Sequence, residues 1–262
     1  MNLILLAFIV STGINLLMFI PAFIYKTDKL TDISYSITFA TLAIFGFYRS
    51  TQNSLHSLIL ILVLMWALRL GSFLFIRINK IGKDVRFDGM REHFLLFLRF
   101  WILQAATVFV VLLPVLMGYE QENADISTLS WFGVGVFIAG LTIEAIADAQ
   151  KFRFNSNPRN KGLWIDVGVW RASRHPNYLG EMMVWTGMYL IVASSLSRVG
   201  LFTAALSPVY IISLLLFVSG IPLLEKSAKK KWGGQESFRR YLTAAPVLIP
   251  TIRSIKRIYQ KP

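Results

Sequence analysis

Residues 171–185 read RASRHPNYLGEMMVW, and the residue types in that stretch could hold an anion and a sugar. Arg171, Arg174 and His175 stand ahead of Pro176, and proline suits a first helical turn because its missing N–H needs no partner there and its φ is already helical. A helix opening near His175 or Pro176 aims its free N–H groups and positive dipole end at the place those cations surround, which suits phosphate or carboxylate. Asn177, Glu181, Trp185 and Met188 follow at helical spacing and share a face. Their amide and carboxylate offer partners for ribose hydroxyls or a carboxamide. Charge outside and hydrogen bonding within suit a nucleotide. The structural alternative for Arg171 and Arg174 is that they are interfacial anchors.

Other polar groups recur inside apolar runs. In TIEAIADAQKFRFN, Glu144, Asp148 and Lys151 fall on one helical face. In TDISYS, Asp32 is expected to cap a helix with Tyr35 one turn inside, and Arg69 lies one turn below Trp66. Each has a plain alternative: an Asp148–Lys151 ion pair, Glu144 neutralising Arg69 or Arg99, Asp32 as a cap alone. Ionisable groups are costly within a membrane and usually face the bundle interior, so several at one depth point to a site. The Gly-rich GVGVFIAG (133–140) lacks a preceding strand and is no phosphate loop; Gly135 and Ala139 there are expected to permit close helix packing.

The elements that must position these residues are membrane helices. With 55% hydrophobic residues and a mean hydropathy of +0.57, a soluble chain of 262 residues could not hide its apolar surface. Apolar runs at 3–25, 33–48, 55–76, 94–118, 130–149, 178–196 and 201–224 give the expected fold class: an all-α integral membrane protein of seven transmembrane helices. Of 27 Lys and Arg, 23 lie in alternate connections and the tail, which places the N-terminus outside and the C-terminus in the cytoplasm. The net charge of +13 is thus assigned to topology and anionic lipid contact, and nucleic-acid binding is set aside. There is no cysteine, hence no disulfide frame or thiol nucleophile, and no metal site is expected. The N-terminal run has no basic leader and reads as a retained helix.

The pattern GLTIEAIADAQKFRF…GLW…WRASRHPNYLGEMMVWTG, followed by EKSAKKKWGGQESFRRYLTAAPVLIP, resembles the C-terminal half of membrane steroid 5-alpha-reductases and their bacterial relatives over about residues 130–252. Sterol reductases and isoprenylcysteine carboxyl methyltransferases share the RHP-x-Y style of motif. The resemblance implies one membrane-embedded domain over 1–262, with a substrate cavity among the helices of 1–118 and NADPH among 130–262. By match to the family's motif, Asn177, Glu181 and Trp185 contact the cofactor, with Asp148 as the acidic residue of the fifth helix. Glu144 stands where the steroid enzymes carry Asn, and Lys226 and Lys230 fall about where they carry Arg and His. Arg86, in GKDVRF, resembles an arginine that closes over the phosphates. Lys151, Arg153, Trp164, Tyr178 and Tyr241 complete the cofactor set with Arg171, Arg174 and His175.

The implied activity is reduction of an activated C=C bond in an apolar enone, most simply a 4-ene-3-ketosteroid reaching the protein from the bilayer. The steroid enzymes polarise the carbonyl with a Glu on the second helix and a Tyr on the third. Here Asp32 and Tyr35 are expected to do so, with Trp66 in place of the third-helix Tyr; an indole donates a hydrogen bond but delivers no proton. The competing enzyme class is a membrane methyltransferase using S-adenosylmethionine, whose cofactor lacks a pyrophosphate and needs fewer cations. A transporter or lipid-binding bundle is the third class, and it lacks the expected internal repeats. The chain is expected to work as a monomer in a bacterial inner membrane, or in the endoplasmic reticulum of a eukaryote.

Overall fold

The computed structural model describes residues 2–81 and 87–259, with Ile81 in its backbone only. All regular structure among the described residues is helical: α1 (Leu3–Ile24), α2 (Lys29–Arg49), α3 (Ser54–Ile81), α4 (Phe94–Val111), α5 (Leu113–Tyr119), α6 (Thr128–Ser156), α7 (Pro176–Ala193), α8 (Arg198–Ser213), α9 (Ile221–Trp232), α10 (Glu236–Ala244) and α11 (Ile252–Lys256). Among the described residues, six stretches are long and apolar enough to cross a membrane: α1, α2, α4, α6, Ser54–Lys80 of α3, and Arg198–Trp232 spanning α8 and α9. The expected sixth span, 178–196, is the helix α7 but falls outside that set, because Asn177 and Glu181 in its first turns lower its apolarity.

The chain divides into two compact units, Met1–Gly133 with Met188–Ser207 and Val134–Gly187 with Pro208–Pro262. In the first, α2 lies along α3, and α1 lies along both α2 and α4. Lipid tails are as apolar as the side chains that face them, so helix association there draws on packing and interhelical hydrogen bonds. Gln104 supplies such bonds: its Nε2 donates to Asn15 Oδ1 and Ser34 Oγ at 2.9 Å each and to Thr31 O at 3.2 Å, tying α4 to α1 and α2. Ser11 Oγ adds a bond to Ala105 O at 2.9 Å. At the start of α2 the buried Arg91 meets Asp28 at 3.0 Å and Asp88 at 2.9 Å, which pins the residues before α4.

Three expectations change here. Asp28 is the N-cap of α2, its carboxylate given to Arg91, and Asp32 lies inside the first turn. The run 94–118 is two helices, α4 and α5, broken at Leu112; Pro114 then sits in the first turn of α5, where it needs no N–H partner. Gly135 has open space where a side chain would go and Ala139 is exposed, so neither is a packing position.

In the second unit the buried face of α6 runs Phe137, Gly140, Glu144, Ala147, Asp148, a helical 3–4 spacing. Gly140 and Gly180 bring α6 and α7 together backbone to backbone. A Cβ on Gly140 would lie 2.6 Å from Gly180 O, and one on Gly180 would lie 2.6 Å from Gly140 O and 2.7 Å from the Glu144 Cβ. Gly180→Ala should therefore destabilise the protein by about 1–3 kcal/mol, the usual cost of overpacking, and Gly135→Ala should not destabilise it, since Ala is the better helix former. Thermal unfolding of the two variants in one detergent checks the contrast; equal melting points would disprove the close crossing.

Candidate functional site

A cleft of about 470 Å³ lies within the second unit, walled by the end of α6, the 160–175 segment, α9 and α10. Lys151, Trp164, Arg174, His175 and Tyr241 line it, joined by Trp170, Glu225, Lys231, Trp232 and Phe238. Its aromatic floor is built edge to face. The Trp164 ring centroid is 5.1 Å from Phe238 and 6.2 Å from Trp232, whose Nε1 donates to Gly162 O at 2.6 Å. Lys151 Nζ lies 4.9 Å over the Trp170 ring, a cation–π contact, and the Trp170 indole donates to Ala147 O at 3.0 Å. The 168–171 turn enters through Gly168 at φ +53°, where a side chain would run into Gln150; Gln150 Oε1 accepts instead from Val169 N at 3.0 Å.

Glu225 organises the charged end of the cleft. Its two carboxylate oxygens accept from Arg174 Nη1 at 2.7 Å and His175 Nε2 at 2.9 Å, and the His175 ring stacks on Tyr178 at 5.8 Å with 9° between planes. Arg174 Nε is buried and meets no acceptor among the described residues. A buried guanidinium donor left over beside a cleft is spare capacity for an anion. Arg171 points elsewhere: it shares Asp166 with Arg257, at 3.7 and 3.5 Å, and so braces the loop below the cleft.

Below the mouth, Trp185 is buried and its Nε1 lies 3.4 Å from Glu181 Oε1; Asn177 and Glu181 are half-buried, and Glu144 and Asp148 are buried on α6. Those four polar side chains do not line the cleft. Arg153 is exposed and stands outside it, and Arg86 lies outside the described residues. Lys226 and Lys230 are also exposed and off the cleft; Ser227 and Lys231, one position later, reach it. In the first unit, Tyr35 and Trp66 come together with Phe39: the Tyr35 ring is 6.5 Å from Trp66, and Phe39 lies 5.0 and 4.7 Å from the two. Asp32 instead accepts from Arg77 Nη2 at 2.9 Å. Sequence reasoning missed Glu225, Trp170, Trp232 and Phe238; the single acid in EKSAKKK was the visible signal for the first.

The chain belongs to the family described as "Protein of unknown function (DUF1295)", which it matches over residues 18–245, a family associated with steroid 5-alpha-reductase-like membrane proteins. No curated protein and no solved structure matches it.

Tyr241 closes the cleft from α10 by donating to Trp170 O at 3.0 Å. Burial pushes its phenol well above the ordinary tyrosine value, the Asp166 carboxylate adds to the rise, and Arg174 and Arg257 oppose it. A folded pKa raised above the unfolded one stabilises the protein below about pH 10 and loses that contribution as pH climbs further. Tyr241→Phe should therefore flatten the decline of melting temperature above about pH 10. An unchanged alkaline slope in the variant would contradict this placement.

Proposed function

We propose that the protein is a membrane oxidoreductase that reduces the C=C bond of an apolar enone, a 4-ene-3-ketosteroid or close analogue, with NADPH as the hydride source. The observation that carries the proposal is the convergence of Lys151, Trp164, Arg174, His175 and Tyr241 on one cleft, with Arg174 Nε left as a buried donor. The residues fit the cofactor in kind. Arg174, Lys151 and Lys231 would hold phosphate oxygens, and the flat faces of Trp164 and Trp232 suit an aromatic base. Asn177 and Glu181 on α7, outside the cleft lining, would offer the amide and carboxylate for ribose or carboxamide beyond it, and Glu144 packs at the Gly140–Gly180 crossing of the helix pair that carries them. NADPH would supply the hydride for the enone's β-carbon, chemistry that no side chain here supplies.

Within the first unit, Tyr35 is the donor toward the substrate carbonyl. Asp32 accepts from Arg77, and a carboxylate so engaged does not itself give a proton to a ketone. Trp66 and Phe39 hold the Tyr35 ring and keep its surroundings apolar, where one oriented donor is worth most to developing enolate charge. The proposal includes seven spans, α7 being the least apolar, with the N-terminus outside and the basic C-terminal segment cytoplasmic. A monomer in a bacterial inner membrane fits that arrangement.

Purified protein should consume NADPH when given progesterone or testosterone and return a product heavier by two hydrogens. Arg174→Ala should raise the KM for NADPH about tenfold or more, equivalent to losing one charge-assisted contact. Tyr35→Phe should lower kcat about 100-fold with KM for NADPH unchanged. Saturable binding of S-adenosylmethionine with none of NADPH would overturn the proposal in favour of a methyltransferase.

A further inference from the structure

Outside the cleft, the last described segment of the chain carries an apolar surface that no other described residue covers. Ile249, Ile252 and Tyr259 are 72%, 79% and 85% exposed, and Ile255 is 43% exposed. None of the four lies in a stretch apolar and long enough to span a membrane. Large apolar side chains left in water on an extramembrane segment are costly and mark a contact surface.

The segment cannot turn these residues inward, because its other side is fastened. Thr251 and Ser254 form a reciprocal cap at the start of α11, and Ser254 Oγ also donates to Ala172 O at 2.8 Å. Arg257 Nη1 donates to Arg171 O at 3.1 Å, its Nη2 lies 3.5 Å from Asp166, and Arg174 N donates to Pro246 O at 2.9 Å. The strap is held by backbone and buried polar groups on one side and presents isoleucine and tyrosine on the other.

Charge decides what the open side meets. Arg253 and Lys256 are exposed between the apolar residues, and no Asp or Glu follows Glu236 in the sequence. Basic residues interleaved with isoleucine and tyrosine match the headgroup region of an anionic bilayer, which takes apolar side chains at its acyl boundary and attracts Lys and Arg at its surface. We propose that residues 249–259 form an interfacial anchor that lies in the surface of an anionic membrane, burying Ile249, Ile252, Ile255 and Tyr259. Since the same strap grips Arg171 and Ala172 through its back, the anchor would also steady the loop that leads into α7.

The absence of cysteine permits a direct test on the full chain. Spin labels at Ile252→Cys or Tyr259→Cys, and at the exposed Gln235→Cys as a control, are placed in bilayers of phosphatidylcholine alone or mixed with phosphatidylglycerol. In the mixed bilayer, collision with oxygen over a water-soluble nickel chelate should rise several-fold at 252 and 259 and stay low at 235. Adding Arg253→Gln and Lys256→Gln should reduce the rise. Free access of the nickel chelate to 252 and 259 in both bilayers would overturn the proposal. So would spin–spin broadening that grows with the protein-to-lipid ratio, which would mean that a second copy covers the face. Both outcomes are independent of whether the cleft binds NADPH.

Discussion

Glu225 is the carboxylate on which the N-terminal end of α7 hangs. Sequence places two groups able to carry positive charge, Arg174 and His175, directly before a helix whose first N–H groups are also electropositive. Left alone, such a concentration would repel itself and remain hydrated. One half-buried carboxylate from α9 takes both, at 2.7 and 2.9 Å, and ties α9 to the segment entering α7. Removing one partner of such a group strands the others, which makes the arrangement stiff. It also leaves the guanidinium partly spent, with Nη1 engaged and the buried Nε without an acceptor among the described residues.

The first unit meets the same constraint with neutral groups. Gln104 on α4 donates to α1 and α2 at once, and every bond it makes joins helices that apolar packing alone would leave free to slide. Two ion pairs lie toward the helix ends, Arg91 with Asp28 and Arg77 with Asp32. Amides and hydroxyls inside and ion pairs at the rim follow from the cost of burying charge in an apolar medium.

These economies explain what was legible in advance. Helix positions and the shared face of Glu144, Asp148 and Lys151 follow from local periodicity, which three-dimensional context rarely overturns in long apolar helices. The cations at 171–175 were legible because proline and basic residues before an apolar run mark a helix start. Their partner was not, since Glu225 lies 50 residues along the chain and only folding brings it near. Asp32 shows the opposite error: TDISYS carries a plausible cap, but Asp28 takes that position four residues earlier and no local rule chose between them. Gly140, not Gly135, became the packing glycine because phase relative to Glu144 and Ala147 decides which glycine faces α7.

The lysines that stand off the cleft follow an irregular turn. Between α8 and α9 the helix widens over Leu214–Val218, with Ser219 N reaching back to Leu214 O at 2.9 Å, and then breaks at Gly220. A side chain at 220 would strike the Leu215 carbonyl, so this break requires glycine. Each residue added to a helix register turns the following face by ~100°. A widened turn followed by a break therefore resets which side of α9 looks inward, and the face that reaches the cleft carries Leu224, Ser227, Ala228 and Lys231. Lys226 and Lys230, chosen by their likeness to the family's Arg and His, are exposed and off that face. Glu225, next to Leu224 on α9 after that turn, is the residue that meets Arg174 and His175.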